Sequence, residues 1–259
     1  MIQFFKNLYE YRELLKTNIK KEIRGKYKGA FLGILLSFIN PLLQVLVYAI
    51  VFPFIMKNRE PNYITFLICG IIPWNYFTSN INQGSKSIID NGAILKKVYF
   101  PREILPISSC TAGLVNFFIQ SSIIIIFLLF SGIGYSKYFF LFPLIAIVQY
   151  FFTLGIIFIT SCLEVYMRDL EYIINFFLSL AFYVTPVLYS ASAMENTPMM
   201  KLFKVNPVAI LIMSYRDVFI YQRKPDFLLL GIVLLASILF CFIGMSIFRK
   251  LEKGFAEEF

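Results

Sequence analysis

The chain reads as an all-α membrane protein: six transmembrane helices, an N-terminal amphipathic interfacial helix, and short re-entrant helices before the last span. Three observations predict this. Six stretches of 22 residues or more carry no Asp, Glu, Lys or Arg: Gly29 to Met56, Pro61 to Ser85, Ile104 to Ser136, Tyr138 to Leu163, Tyr172 to Met194 and Phe227 to Phe248. Hydrophobic residues fill 59% of only 259 positions, which leaves little room for a soluble domain. The apolar runs are continuous rather than alternating, so helices fit them. In lipid a helix satisfies its own backbone, and about 20 residues rising about 1.5 Å each cross a hydrocarbon core of about 30 Å.

Before the first span, Phe4, Leu8, Tyr11, Leu15, Ile19 and Ile23 recur every three or four residues, with Lys6, Glu10, Glu13, Lys16, Lys20 and Arg24 on other faces. That spacing is an amphipathic helix expected along the cytoplasmic membrane surface. The first apolar run is too long for a signal-peptide core and follows a charged segment, so it is expected to stay in the mature protein. Gly25, Gly29 and Gly33 are four apart and suit either a close helix crossing or a tight elbow into the membrane.

Span one holds Asn40, Pro41 and Gln44. Proline removes one helical hydrogen bond and frees a carbonyl that polar neighbours or water must satisfy, so a kink is expected. Asn40, Gln44 and Tyr48 follow at single-turn spacing and are predicted to share a face, against protein or a cavity rather than lipid.

After span two, Asp90 or Asn91 is expected to cap a short helix running to Lys97, with Pro101 ending any continuation. Ile94, Leu95 and Val98 beside Lys96, Lys97 and Arg102 make that helix a small apolar and basic knob for another protein. The connection from Glu195 to Asp226 contains an uncharged run, Val205 to Tyr215, too short to span. Two short helices dipping toward the outer side of the bilayer are expected there.

Positive charge orients the chain. Of 24 Lys and Arg, 16 fall on the side of the N-terminus, the connections after spans two and four, and the C-terminus. Both termini are therefore expected in the cytoplasm. The same distribution accounts for the net charge of +9 without nucleic acid. Cys69, Cys110, Cys162 and Cys241 lie in or at the ends of apolar runs with no CxxC pair, and His is absent, so disulfides and a metal or haem site are not expected. A membrane enzyme would want His or paired carboxylates. A gradient-driven transporter would want an ionisable residue at mid-depth, and the spans offer only Glu164 at a cytoplasmic end.

Taken together, Tyr11-Arg-Glu-Leu14, Tyr27-Lys-Gly-Ala-Phe-Leu-Gly33, Asn40-Pro-Leu-Leu43, Gly70-Ile-Ile-Pro-Trp74, Lys97-Val-Tyr-Phe-Pro-Arg-Glu103, Arg168-Asp-Leu170, Thr185-Pro-Val-Leu-Tyr189, Asn206-Pro207 and the tail Phe248 to Phe259 resemble the permease subunit of type-2 ABC exporters for O-antigen, teichoic acid and related polysaccharides. Members of that family usually carry Trp where Leu36 stands and aspartate where Glu257 stands. The resemblance implies one transmembrane domain over 1–259. It divides into an interface helix at 1–28, spans at 29–56, 63–83, 104–131, 138–163, 172–191 and 227–248, a coupling region at 86–103, and outer short helices at 195–224.

It further implies a multi-pass protein of the bacterial cytoplasmic (inner) membrane, working as a homodimer with two copies of a separate ATP-binding-cassette ATPase. ATP and magnesium would sit on that ATPase, and the chain itself has no GxxxxGK[ST] phosphate loop. The cargo would be a lipid-linked polysaccharide; a type-2 exporter of a drug or lipid is the alternative, though only Lys57 to Asn62 stands where such exporters often carry an external domain. By the same resemblance, Asn91, Ile94, Leu95, Lys96, Lys97 and Arg102 would couple to the ATPase, helped by Arg168 and Asp169. Tyr27, Lys28 and Gly33 would form the cytoplasmic gate, and Asn206 and Pro207 the outer gate.

A polysaccharide path needs aromatic rings to stack on sugar C–H faces and neutral polar groups for hydroxyls. Span one offers Phe38, Asn40, Gln44 and Tyr48. Span five offers Phe176, Phe177, Phe182, Tyr183 and Tyr189.

Overall fold

A computed structural model describes residues 7–27, 33–55, 62–191 and 197–255, and regular structure among them is entirely helical. In chain order, α1 is Arg12–Tyr27, α2 Gly33–Ile55, α3 Tyr63–Ser85, α4 Gly92–Leu95, α5 Ile104–Phe130, α6 Phe142–Tyr166, α7 Leu170–Val184, α8 Met199–Val205, α9 Pro207–Phe219 and α10 Phe227–Leu251. Single 3-10 turns occupy Ile89–Asn91, Lys137–Leu141 and Glu252–Gly254. This is an all-α membrane protein: Leu35–Pro53, Ile104–Phe130, Lys137–Tyr166 and Phe227–Gly254 are each long and apolar enough to cross a bilayer.

The remaining two apolar stretches depart from simple spans. α3 is 23 residues long, but Asn75, Thr78, Ser79, Asn80, Asn82 and Gln83 crowd its second half. It packs against α2, α5, α6, α7, α9, so most of its length meets protein instead of lipid. α7 has 15 residues, about 22 Å at about 1.5 Å per residue, so the span expected over 172–191 is helical only as far as Val184. Pro186 is the cause. The residue before a proline is forced out of the helical region, and Thr185 is extended at φ −94°, ψ 137°.

α6 and α10 make the tightest helix pair, because Gly155 and Gly244 lie at their crossing. A Cβ on Gly244 would stand 2.5 Å from the Gly155 carbonyl oxygen. Small residues permit this approach where a membrane offers no hydrophobic drive between helices. By contrast, a Cβ on Gly25 would meet nothing within 4 Å. That glycine marks no close crossing, and Gly29 lies outside the described residues.

Two apolar clusters divide the core. One gathers around Leu67, Ile71, Phe117, Ile145, Leu211, Tyr215 and Phe219, toward the end bearing α8 and α9. The other, around Ile88, Phe100, Phe158, Phe248 and Phe255, lies at the end bearing the N-terminal segment and the tail. α1 contributes Leu8, Tyr11, Leu14 and Leu15 from its face and the turn before it to this second cluster. It also turns Ile23 toward Ala112, Val115 and Ile119 of α5. The apolar face predicted to lie along the membrane surface therefore meets α5, which leaves Leu15, Ile19 and Ile23 half-buried.

Candidate functional site

α2, α3 and α7 each present one face to a shared open cleft. Helical spacing sets the lining: Gln44 and Tyr48 from α2, Trp74, Thr78 and Asn82 from α3, and Asn175, Ser179, Phe182 and Tyr183 from α7. Among the described residues, none that lines it is charged. Phe182 stands 5.8 Å from Tyr48 and 5.5 Å from Trp74, centroid to centroid, forming an aromatic wall. Amides tie the helices together across the polar side. Asn75 Nδ2 donates to Gln44 Oε1, and Asn82 Nδ2 to Asn175 Oδ1, both at 2.9 Å.

Four residues expected along a sugar path, Gln44, Tyr48, Phe182 and Tyr183, converge here. The other five do not. Phe38 is half-buried against the apolar core. Phe176 and Phe177, 61% and 62% exposed, stand outside the cleft lining on the outward surface of α7. Tyr189 belongs to the α8 end, where its hydroxyl donates to the Tyr183 carbonyl at 2.9 Å and its ring meets Phe203. Asn40 lines a second cleft with Lys26, Ser37, Ser79 and Gln120, to which Asn75, the donor to Gln44, also contributes. Asn40, Gln44 and Tyr48 keep their single-turn spacing on the continuous α2, yet Asn40 opens into one cleft and Gln44 and Tyr48 into the other.

α2 continues as a helix through Pro41. The carbonyl that Pro41 cannot engage is that of Ser37, and Gln120 Nε2 of α5 donates to it at 3.1 Å. The expected polar neighbour is therefore a glutamine three elements away.

At the α8 end, a residue that sequence reasoning treated only as one more charge organises the backbone. Arg216 of α9 is buried; its guanidinium donates to the carbonyls of Pro186 and Val187 at 2.5 Å each and lies 3.5 Å from the Phe66 ring centroid. Tyr63 donates to the Leu188 carbonyl at 3.0 Å, and Asn206 Nδ2 to Thr185 Oγ1 at 3.0 Å. The non-helical stretch after α7 thus has polar groups met by α3 and by α9 with its cap, as a buried backbone requires. Asn206 also caps α9, accepting from the amides of Val208 and Ala209, with Pro207 at the first helical position.

At the opposite end, the knob expected after α3 is shorter than predicted: a 3-10 turn, then the four residues of α4. Asn91 is buried and caps nothing with its side chain. It instead accepts from Lys21 Nζ at 2.9 Å and donates to the Ser87 carbonyl at 2.8 Å, which joins α1 to the knob. Ile94, Val98 and Tyr99 are exposed, Tyr99 by 93%, and Lys96 and Lys97 stand exposed beside them while Leu95 packs inward. Arg102 leaves this surface. It donates to the Glu252 carbonyl and covers the Phe255 ring, fastening the tail. Glu103, buried, pairs with Arg249 at 3.3 Å. Arg168 and Asp169 are exposed in the turn before α7.

Tyr27 and Gly33 are the last residue of α1 and the first of α2, and Lys28 lies outside the described residues. The four cysteines are buried and free, and the described residues contain no group of acids and cysteines able to hold a metal.

The ABC-2 type transporter family model matches residues 13–220. The chain is 33% identical over 259 residues to the O-antigen export system permease protein RfbA of Myxococcus xanthus, covering 100% of both chains. Two proteins of that name from Klebsiella pneumoniae are 36% and 35% identical over 211 residues, covering 81% of each chain.

Proposed function

Because the chain belongs to the ABC-2 type transporter family, we propose that it is the membrane permease of an ATP-driven exporter of a lipid-linked polysaccharide. It acts as a homodimer with two copies of a separate ATPase, which binds ATP and magnesium, in the bacterial cytoplasmic membrane with both termini inside. The observation that carries this reading is the uncharged cleft between α2, α3 and α7. Its rings and amides are what a neutral, hydroxyl-rich polymer requires, since stacking and exchangeable hydrogen bonds hold a chain without one deep trap. The relatives' printed role in O-antigen export supports the same cargo class.

In this reading the Ile94, Val98 and Tyr99 surface, with Lys96 and Lys97, seats in the ATPase, and the exposed Arg168–Asp169 turn adds a contact. Nucleotide-driven motion would pass from that knob to α1 through Asn91 and Lys21. The segment clamped by Arg216, with Asn206 and Pro207, forms the outer gate.

The test is reconstitution with a partner ATP-binding-cassette ATPase, measuring ATP turnover and vesicle uptake with lipid-linked glycan, a drug panel and phospholipid. Glycan-dependent turnover and uptake support the proposal. Stimulation by drugs or phospholipid alone would replace it with the drug or lipid exporter reading.

A further inference from the structure

α7 buries only Ile174 and Phe182. A ladder of three pairs joins it to α3, the two helices running in opposite directions. The Trp74 ring meets the Phe182 ring, Asn82 Nδ2 donates to Asn175 Oδ1, and Lys86, the residue after α3, pairs with Glu171 through Nζ and Oε2 at 2.7 Å. Successive rungs are one or two turns apart on both helices, so the ladder follows the cleft. Its last rung, Lys86 with Glu171, stands beyond the cleft lining at the knob end, and both side chains are partly exposed.

A second carboxylate stands near that rung. Glu164, in the last turn of α6, is 3% exposed, and its Oε2 has no hydrogen-bond partner among the described residues. The hydrogen bond to Glu171 holds the Lys86 ammonium above the ordinary lysine pKa, and the charges of Asp90 and Glu164 pull the same way. One ammonium thus serves carboxylates on two helices, with one of them paired. A buried carboxylate with an open oxygen is costly, which favours a second arrangement in which it gains a partner. Glu164 and Glu171 flank the exposed turn at Arg168 and Asp169. A pull on that turn shifts Glu171, on the sparsely buried α7, more readily than Glu164, which is enclosed by protein.

We propose that Lys86 is a positioning residue of the glycan path: paired with Glu171 it holds α7 against α3 and keeps the cleft closed, and it passes to Glu164 to release α7 when the ATPase acts on the turn. This rests on reading the cleft as the glycan path and the turn as an ATPase contact. The experiment places cysteines at Asn82 and Asn175 of the full-length chain without its four native cysteines, in nanodiscs with a partner ATP-binding-cassette ATPase. A short bifunctional thiol cross-linker then reads the separation of α3 and α7 as the rate of linkage within one chain. The latch is left unmodified or carries Glu171→Gln, Glu164→Gln, or the exchange of Lys86→Glu with Glu171→Lys.

Without nucleotide, linkage is expected to be equally fast in the unmodified latch, E164Q and the exchanged pair, and about fivefold or more slower in E171Q, which lacks the charge-assisted bond. With ATP, the unmodified latch is expected to slow by about the same factor. E164Q and the exchanged pair should scarcely respond, because neither offers the side chain at position 86 an opposite charge on α6. A static salt bridge would make E164Q respond to ATP like the unmodified latch, and that result overturns the proposal. So does an unmodified latch that ignores ATP, or E171Q linking as fast as the unmodified latch without nucleotide. If E164Q alone fails to fold, the exchanged pair decides by the same criterion. No glycan is used, so a different cargo in the transport assay leaves the latch standing, and a failed latch leaves the glycan reading to that assay.

Discussion

The guanidinium of Arg216 and the backbone carbonyl of Val187 are joined at 2.5 Å across the break that ends α7. A second arm reaches Pro186, so a single buried side chain replaces hydrogen bonds that the interrupted helix cannot make. Arg216→Lys keeps the charge and loses the fork, which makes it a poor replacement. It is expected to lower stability by about 2–4 kcal/mol, with Arg216→Met no milder, because carbonyls are left unsatisfied. Thermal unfolding of the purified chain in detergent reads this; an unchanged midpoint for R216K would mean the clamp contributes nothing.

Gly70 leaves room for that clamp. A Cβ there would lie 2.6 Å from Arg216 Nη2 and 2.8 Å from the Val187 carbonyl oxygen. Backbone cannot move aside cheaply, so Gly70→Ala is expected to cost about 1–3 kcal/mol. The double variant with R216M should lose less than the sum, since both disturb one contact. Full additivity in the same unfolding assay would show that the two residues act apart.

Lys21 and Asn91 connect α1 to the knob by one partly buried hydrogen bond of 2.9 Å. Lys21→Ala is expected to cost only about 1 kcal/mol of stability while weakening the coupling of ATP turnover to uptake. The ratio of glycan moved to ATP hydrolysed in vesicles should fall severalfold. A ratio equal to wild type would remove α1 from the coupling route.

The exposed knob and the tail clamp should separate by phenotype. Val98→Glu with Tyr99→Ala is expected to abolish co-purification of the ATPase while leaving thermal unfolding within about 0.5 kcal/mol, as surface changes usually do. Arg102→Ala is expected to do the opposite, loosening the tail at Glu252 and Phe255 with the ATPase still bound. Reversed results would return Arg102 to the docking surface.

Much of this was legible in the residues. Uncharged runs located the long helices, and Pro186 and Asn206 carried local signals for a break and a cap. Gln44, Tyr48, Phe182 and Tyr183 could be anticipated because their spacing and chemistry are local to one helix. Trp74, Asn82, Asn175 and Ser179 were missed, although polar residues recurring near every fourth position of α3 were a visible signal. Which face of a helix meets which neighbour depends on packing, so nothing local tells Phe177 from Phe182. Arg216 was missed for a related reason: its partners are backbone carbonyls 29 and 30 residues away, which leave no mark on side-chain patterns.

The proposed glycan path is tested most directly by thiol labelling. Single cysteines at 44, 48, 175 and 183, in a chain without its four native cysteines, would be exposed to a small membrane-impermeant maleimide with the ATPase assembled. Position 235, on the exposed apolar surface of α10, serves as the control. The four cleft positions are expected to label, and to be protected at least about fivefold by lipid-linked glycan, while position 235 stays unlabelled. Labelling that ignores glycan at all four positions, or disulfide cross-linking of them between subunits with no labelling in any nucleotide state, would contradict a glycan path between α2, α3 and α7.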